Sequence, residues 1–243
     1  MEINFDPWMS RTELLLGTEK LAILNRSHVL VAGLGGVGAY AAEQICRAGV
    51  GEMTIVDGDI VTETNKNRQL LALDSTLGQS KTEVIKQRLL DINPQLKLKT
   101  IDIYLKNEKI DDLLSQNYNY VVDAIDTLSP KFFFIMKCLE KNLPLVSSMG
   151  AGGKLDPMQI KVSDIYESHG CRLALHIRKR LRKRNILSGF KVVFSPEAVD
   201  KESLELITDV EHKRSNIGTI AYMPALFGCL CASVVIRDLI SGK

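Results

Sequence analysis

Charged and amide side chains are concentrated between residues 57 and 81, in the stretch DGDIVTETNKNRQLLALDSTLGQSK. Fixed cations placed beside a phosphate chain can stabilise the negative charge that develops on a departing pyrophosphate. Hydride transfer has no comparable need for two cations and an amide next to phosphates. The stretch therefore favours chemistry on a nucleoside triphosphate. The residues that carry this interpretation are Asp57, Asp59, Asn65, Arg68 and Lys81.

A glycine-rich turn, GLGGVG, precedes this stretch and follows a β-prone run at residues 28–32. Gly33 permits the turn, Gly35 lets the backbone approach a phosphate, and Gly38 lets the following helix meet the strand. The N–H groups at the start of that helix would face an anion. Asp57 ends the next apolar run, where it could bind ribose hydroxyls. By itself the turn leaves an NAD-dependent oxidoreductase open beside an ATP-dependent enzyme.

Asp126 follows a further predicted strand, in the sequence DAID at residues 123–126. Ligands of doubly wound sheets bind at the carboxyl ends of the strands, so we expect Asp126 near the glycine turn. Carboxylate oxygens are suitable ligands for Mg²⁺. Asp126 is therefore the predicted magnesium ligand.

Residues 168–196 contain several lysines and arginines but no aspartate or glutamate. Within this segment, six of the seven positions 178–184 are basic. Such cations repel one another unless an anion is present, and an RNA backbone is a natural anion for them. A solvated helix face is the alternative. The predicted tRNA-binding residues are Arg178, Lys179, Arg180, Arg182, Lys183 and Arg184.

The elements that must position these residues alternate between strands and helices. Their apolar strands lack period-two polarity, which predicts a parallel sheet covered on both faces, an α/β Rossmann-like doubly wound fold. Ser129 and Pro130 are expected to cap and open the helix over 131–140. The predicted strands are 28–32, 53–56, 96–101, 120–122 and 144–147, and the other predicted helices are 36–47, 81–92 and a segment around 110–114.

Beyond the GAGGK stretch at 150–154, two strand-like runs, QIKVSDI and KVVFS, flank the basic segment. No repeat or low-complexity linker separates the two halves. We therefore expect a single domain over residues 1–243. Its nucleotide-binding core would be 1–150, and the extension 151–243 would carry the basic helix and an apolar C-terminal helix.

Amino-acid composition limits which classes of protein this chain can belong to. A chain of 243 residues that is 45% hydrophobic can bury a full core, and a net charge of +2 means that an anionic partner must meet a local patch. The five cysteines include no CxxC pair, which argues against a disulfide framework and a four-cysteine zinc site. With no secretory pattern at the N-terminus, we expect a cytoplasmic protein.

Residues 215–236 contain no charged side chain and are flanked by Arg214 and Arg237. Their length would allow a membrane span. Gly218, Pro224 and other interruptions argue against one, and a buried C-terminal helix gives the same pattern. We favour the buried helix, with membrane contact as the alternative.

Together these motifs resemble a known family. The order R-x5-G, GxGGxG, D-x-D-x-V-x-x-x-N-x-x-R-Q, G-x-x-K, D-x-x-D is similar to that of the ubiquitin-activating-like adenylating enzymes, the MoeB, ThiF and HesA group, over residues 11 to about 160. The resemblance implies that the glycine loop binds ATP rather than NAD. It also implies acyl adenylation, in which a carboxylate attacks the α-phosphorus and pyrophosphate leaves.

The resemblance also implies roles for single residues. Asp57 matches an acid that binds ribose, Arg68 and Lys81 match cations on the ATP phosphates, and Asp126 matches the acid that holds Mg²⁺. Arg11 matches an arginine that reaches the site of a partner subunit, which implies a homodimer. The implied catalytic residues are Arg11, Arg68, Lys81 and Asp126, and the implied ATP-binding residues are Gly33, Gly35, Gly36, Gly38, Asp57, Asp59, Asn65, Arg68 and Lys81.

Two branches of the family differ in their cysteines. Activators of sulfur carriers usually have two CxxC pairs for zinc, which this chain lacks. The stretches YNYVVDAIDTLSPK and PLVSSMGAGGKLDPMQIKVSDI resemble the tRNA threonylcarbamoyladenosine dehydratase branch. That resemblance implies ATP-dependent activation and cyclisation of threonylcarbamoyladenosine in tRNA. Cys171 lies roughly where relatives place a loop cysteine, and we interpret it as an ordinary thiol.

Several alternatives stay open at this point. A same-family alternative is adenylation of the C-terminal glycine of a ubiquitin-like sulfur carrier, and a sulfur-transfer partner such as a cysteine desulfurase is a further candidate. From other classes come an NAD-dependent oxidoreductase and a non-enzymatic nucleotide-sensing module that binds RNA or a membrane.

Overall fold

The computed structural model describes residues 5–105, 107–206 and 215–242. Within these ranges, the strands are β1 His28–Ala32, β2 Glu52–Asp57, β3 Lys97–Asp102, β4 Tyr120–Asp123, β5 Leu145–Ser148, β6 Lys161–Asp164, β7 Lys191–Phe194, β8 Leu204–Leu206 and β9 Ser215–Ile217. The α-helices are α1 Ser10–Leu16, α2 Thr18–Arg26, α3 Gly38–Arg47, α4 Lys81–Ile92, α5 Asn107–Leu113, α6 Leu128–Glu140, α7 Arg172–Arg182 and α8 Tyr222–Ser241.

Seven strands form one sheet in the order β3-β2-β1-β4-β5-β7-β6. All neighbouring pairs are parallel except β6 and β7, which are antiparallel at one edge. The strand order reverses between β1 and β4, which creates the crevice where doubly wound sheets bind ligands. The predicted Rossmann-like fold is confirmed, and β7 joins the extension directly to the sheet of the core.

The central strands are apolar because both of their faces are covered. Val29, Leu30, Val31 and Ala32 of β1 are fully buried. Helices α3, α4 and α8 pack on one face of the sheet, and α5, α6 and α7 pack on the other. This burial explains the continuous hydrophobic runs that replace a period-two pattern.

Helix α8 is long and apolar enough to span a membrane by length and composition, yet half of its most apolar window is buried inside the protein. Gly228 lets it approach α3 closely, because a Cβ there would lie 2.4 Å from the carbonyl oxygen of Val37. Near its end, Asp238 accepts hydrogen bonds from Tyr120 Oη (2.7 Å) and Lys191 Nζ (2.6 Å). The favoured interpretation, a helix packed on the sheet, agrees with these contacts.

Two predicted helix starts are wrong by two or three residues. The helix after the glycine turn begins at Gly38 rather than 36, and α6 begins at Leu128 with Thr127 as its N-cap. Ser129 is therefore not the cap. Pro130 falls third in α6, where its missing N–H costs nothing because the first N–H groups of a helix have no internal partner.

Candidate active site at the carboxyl edge of the sheet

The glycine turn, residues 33–38, is wedged between the carboxyl ends of β1 and β4. Gly33 has a φ of 90°, and a Cβ on it would lie 2.8 Å from the carbonyl oxygen of Ala124. A Cβ on Gly38 would lie 1.7 Å from the carbonyl oxygen of Gly33. Any larger residue at these two positions would push the turn away from the strands, so the glycines are a steric requirement of the loop.

Arg68 lies against this turn. A Cβ on Gly36 would lie 3.2 Å from the Arg68 carbonyl oxygen and 3.4 Å from its Cγ. The Arg68 guanidinium donates to the carbonyl oxygen of Thr64 (3.0 Å) and to Asn67 Oδ1 (2.8 Å). Across the described residues it forms no ion pair with a carboxylate, so its charge is left for another anion.

Asp57, at the end of β2, holds the glycine turn directly. Its Oδ2 accepts a 2.6 Å hydrogen bond from the backbone N–H of Leu34, and its Oδ1 accepts one of 2.8 Å from Asp59. Burial raises the pKa of the Asp57 carboxyl, while Lys81 and the two backbone donors offset part of that rise. Each oxygen keeps a further lone pair that can accept from a hydroxyl.

Lys81 is a buried cation at the same edge. Its side chain is 5% exposed, and its Nζ donates to Asp59 Oδ2 over 2.8 Å. The side chain of Asp59 is about half exposed, with 49% of its area accessible. Its carboxylate also accepts a hydrogen bond from the Tyr104 hydroxyl, which raises the pKa of that hydroxyl. The aliphatic stem of Lys81 is thus packed in the protein, and its amine is held by the half-exposed carboxylate of Asp59.

Asn65 shapes the loop that carries Arg68. It is buried, and its Oδ1 accepts from the backbone N–H of Thr62 in a one-turn helical cap. Gln69, which follows Arg68, is also buried, lies 3.8 Å from a Cβ built on Gly35, and its Oε1 has no hydrogen-bond partner among the described residues. We did not predict Gln69 as a site residue, because a glutamine carries no charge signal in the sequence.

Asp126 is exposed on the loop between β4 and α6, and the carbonyl of the preceding Ala124 packs against the glycine turn. This loop is supported by two residues that the sequence motifs do not single out. Asp123 and Lys131 are both fully buried and form an ion pair of 2.8 Å. The available signal was a single lysine in the otherwise apolar run KFFFIM.

Arg11 is exposed on α1 and is not joined to the other predicted residues by any hydrogen bond or ion pair in the described part of the chain. Its neighbours Leu14 and Leu15 are 89% and 82% exposed. A single copy of the chain thus brings together the glycine turn, Asp57, Asp59, Asn65, Arg68 and Lys81, with Asp126 on the adjacent loop, but leaves Arg11 apart.

The basic helix borders an open cleft of about 470 Å³. Ala174, Ile177 and Leu181 anchor α7 in the core, which turns its cations outward. Arg180 donates to Ser129 Oγ on α6 over 3.3 Å. The residues that line the cleft are Leu128, His176, Lys179, Arg180, Arg182 and Lys183.

Two of the six predicted tRNA-binding cations are not among the residues that line the cleft. Arg178 donates to Ser168 Oγ, and Arg184 lies over the Phe132 ring at 5.0 Å from its centroid. Leu128, in the lining of the cleft, is two residues after Asp126. The basic cleft and the Asp126 loop are therefore neighbours, although they come from separate parts of the chain.

The fold and this edge define a class: a doubly wound α/β protein whose glycine loop and neighbouring cations form a cradle for a phosphorylated nucleotide. The sequence model of the ThiF family matches residues 9–243. The chain belongs to the ThiF family.

Relatives match over nearly the full length. The tRNA threonylcarbamoyladenosine dehydratase of Bacillus subtilis (strain 168) is 37% identical over 238 residues, 95% of this chain and 94% of that protein. The E. coli tRNA N6-threonylcarbamoyladenosine dehydratase TcdA, in its crystal structure in complex with ATP, is 32% identical in sequence to this chain. It superposes with a TM-score of 0.89 and covers 99% of this chain and 98% of that one. The AMP complex of the same enzyme gives a TM-score of 0.88, with 100% and 98% covered.

Proposed function

We propose that the protein is an ATP-dependent tRNA threonylcarbamoyladenosine dehydratase, which adenylates the carboxylate of that nucleoside in tRNA and promotes its cyclisation. The proposal depends on one observation, that the glycine turn and the basic cleft lie side by side. The carbonyl of Ala124, on the loop that bears Asp126, packs against the glycine turn, and Leu128, which follows that loop, lines the basic cleft. An enzyme that joins a nucleotide to a group on RNA needs both sites side by side. Full-length similarity to dehydratases of that name supports the same substrate.

The glycine turn and Asp57 would bind ATP. The phosphate chain would lie along the turn, where the first N–H groups of α3 have no internal partner. Asp57 would accept from ribose hydroxyls with the lone pairs that Leu34 and Asp59 leave free. Asp59 would hold the Lys81 amine, and Asn65 would hold the loop of Arg68. These contacts fit an anionic nucleotide.

Asp126 would hold Mg²⁺. Its exposed carboxylate offers hard oxygen ligands, and this ion is commonly bound by one or two carboxylates together with water and substrate phosphates. Among the described residues, no group of three or more His, Cys, Asp or Glu side chains could hold a metal, so the other ligands would come from nucleotide and water. When bound, the ion would neutralise charge on the phosphates.

The residues of the chain act mainly by position and charge. The substrate carboxylate is already ionised at neutral pH, so no general base is needed for its attack on the α-phosphorus. Its oxygen forms the new bond as the bond to pyrophosphate breaks, and Arg68 and Lys81 would stabilise the leaving group. A nucleophile of the same modified base then closes the ring on the acyl carbonyl. AMP leaves with the carboxylate oxygen, which accounts for the net loss of water.

A homodimer is part of the proposal. Arg11 would serve the site of a second copy, and the exposed Leu14 and Leu15 beside it provide apolar surface for an interface. We place the reaction in the cytoplasm, where ATP and tRNA are both present.

Mass spectrometry of tRNA nucleosides tests the proposal. Unmodified protein, ATP and Mg²⁺ are incubated with tRNA that carries threonylcarbamoyladenosine, and the expected product has lost one water while AMP accumulates. Carrier-dependent ATP–pyrophosphate exchange without any tRNA effect would instead indicate a sulfur-carrier activator. Tight NADH binding without ATP affinity would indicate an oxidoreductase, and tRNA binding without AMP release would indicate a non-enzymatic module.

A further inference from the structure

A fully buried ion pair lies directly beneath the Asp126 loop. Asp123 ends β4 and Lys131 lies in the first turns of α6, and neither side chain is exposed. Asp123 accepts from three donors: Lys131 Nζ at 2.8 Å, Ser147 Oγ at 2.6 Å and the backbone N–H of Ile125 at 3.1 Å. Lys131 Nζ also donates to the carbonyl oxygen of Ile125 over 3.0 Å.

The pair therefore clamps both backbone polar groups of Ile125, the residue immediately before Asp126. The N–H of Ile125 donates to Asp123, and its carbonyl oxygen accepts from Lys131. Ser147 donates to the same carboxylate, so the network that holds Ile125 also includes a residue of β5. The direction in which the chain leaves Ile125, and hence the location of the Asp126 carboxylate, is set by this network.

A contribution to folding stability alone does not explain a buried ion pair at this position. Removing two charges from water costs several kcal/mol for each ion, and apolar residues of similar volume are often equally stable or more so. What an apolar pair could not supply is the hydrogen bond from Lys131 to the carbonyl of Ile125. Preorganised groups around a reacting centre depend on such supporting contacts.

We propose that Lys131, with Asp123 as its partner, is a positioning residue for Asp126. It would hold the carboxylate where it meets the metal-bound nucleotide, and this role rests on the function proposed above. Lys131 touches neither nucleotide nor RNA in this assignment and acts only through the loop.

The test compares Lys131→Met, Lys131→Arg and Asp126→Asn in the full-length protein, with AMP formation on tRNA followed as Mg²⁺ is titrated. Lys131→Met should lower kcat by about 10- to 100-fold, a typical cost for a supporting contact, and should raise the Mg²⁺ concentration needed for half-maximal rate. Lys131→Arg should recover most of the turnover. Hydrogen exchange of the amides of residues 124–127 should be faster in Lys131→Met than in the unmodified protein.

Combining Lys131→Met with Asp126→Asn should cost no more than Asp126→Asn alone, because both changes disable the same carboxylate. Lys131→Met leaves Asp123 buried without its cation, so Asp123→Asn/Lys131→Met serves as a second variant. It should regain thermal stability without regaining turnover. Lys137→Met is the matched control and should behave normally, because Lys137 lies on the same helix but is only partly buried and pairs with Asp111 and Glu140.

Three outcomes would overturn the assignment. A folded Lys131→Met or double variant with full turnover would remove the positioning role, and so would multiplicative losses from Lys131→Met and Asp126→Asn. Full turnover in Asp126→Asn would instead remove the proposed role of Asp126 and, with it, that of Lys131. Loss in Asp126→Asn with no loss in folded Lys131→Met leaves the proposed function intact and contradicts only this inference.

Discussion

Two lysines at the carboxyl edge of the sheet are held differently from the cations of α7. Lys81 is 5% exposed and paired with Asp59, and Lys131 is fully buried against Asp123. Lys179, Arg182 and the C-cap residue Lys183 are exposed beside the cleft, and within the described ranges no cation of α7 or its C-cap forms an ion pair with a carboxylate. One region fixes single charges, whereas the other presents many unpaired ones.

This difference corresponds to two physical tasks. Transition-state charge is stabilised best by groups that need not reorganise during the reaction, which requires buried and hydrogen-bonded side chains. A nucleic acid backbone is bound largely by releasing counterions, which requires only accessible cations of sufficient density. Substitutions at the edge should therefore change turnover, and substitutions in the cleft should change affinity and its salt dependence.

The largest effect is expected from Lys81→Met. This change keeps the aliphatic stem but removes the charge proposed to face the ATP phosphates, so AMP formation should fall by about 10²- to 10³-fold. Single-turnover kinetics at saturating tRNA would measure it. Lys86→Met is the matched control, because Lys86 lies on the same helix but is only partly buried and pairs with Glu83. Equal rates in the two variants would contradict the assignment of Lys81.

The next effect concerns the cleft. Neutralising Arg180, Arg182 and Lys183 together to glutamine should weaken tRNA binding and lower the slope of log K against log salt by roughly two to three, about 0.7 to 0.9 for each lost phosphate contact. Turnover at saturating tRNA should stay close to normal. Fluorescence titrations at several salt concentrations would measure the slope.

A charge-matched variant controls for net charge in that experiment. Lys97, Lys99 and Lys161 are exposed on strands away from α7, and their joint change to glutamine removes the same three charges. The slope should not change in this control. If the α7 variant behaves like it, α7 is an ordinary solvated helix face.

A smaller effect is expected from Asp238→Ala, which tests whether α8 belongs to the packed body of the protein. The change leaves the Tyr120 hydroxyl buried without its partner and should lower the free energy of unfolding by about 1–3 kcal/mol. Urea denaturation would measure it, with the neighbouring and exposed Arg237→Ala as the control. An unchanged midpoint would mean that α8 contributes little to the fold.

The smallest effect is expected at the opposite, amino edge of the sheet. Burial lowers the pKa of His28 below its usual 6.5. The unfolded chain then binds a proton before the folded protein does, so stability should fall as pH decreases through 6.5 towards the lower folded pKa. His28→Gln should flatten this dependence without changing turnover. Unfolding measured at about pH 7.5 and pH 5.5 would test it.

Much of the site at the carboxyl edge of the sheet could be predicted, because it depends on residues close together in the sequence. Gly33 and Gly38 are required by the turn itself, and α4 was predicted with its observed bounds of 81–92. The start of α6 was misplaced because a helix boundary is decided by backbone angles that several adjacent residues tolerate. The sequence did not reveal which of the six basic residues line the cleft, because it does not show that Arg178 donates to Ser168 or that Arg184 lies over the Phe132 ring.

The sequence by itself determined the class of fold, the phosphate-binding turn and the identity of the cations and acids around it. These follow from residue types at short spacing, where backbone geometry leaves few alternatives. Only the tertiary structure decided that the basic cleft adjoins the Asp126 loop, and that Asp123 and Lys131 support it. Such contacts depend on how separate elements pack: α7 meets α6 only because both cover the same face of the sheet.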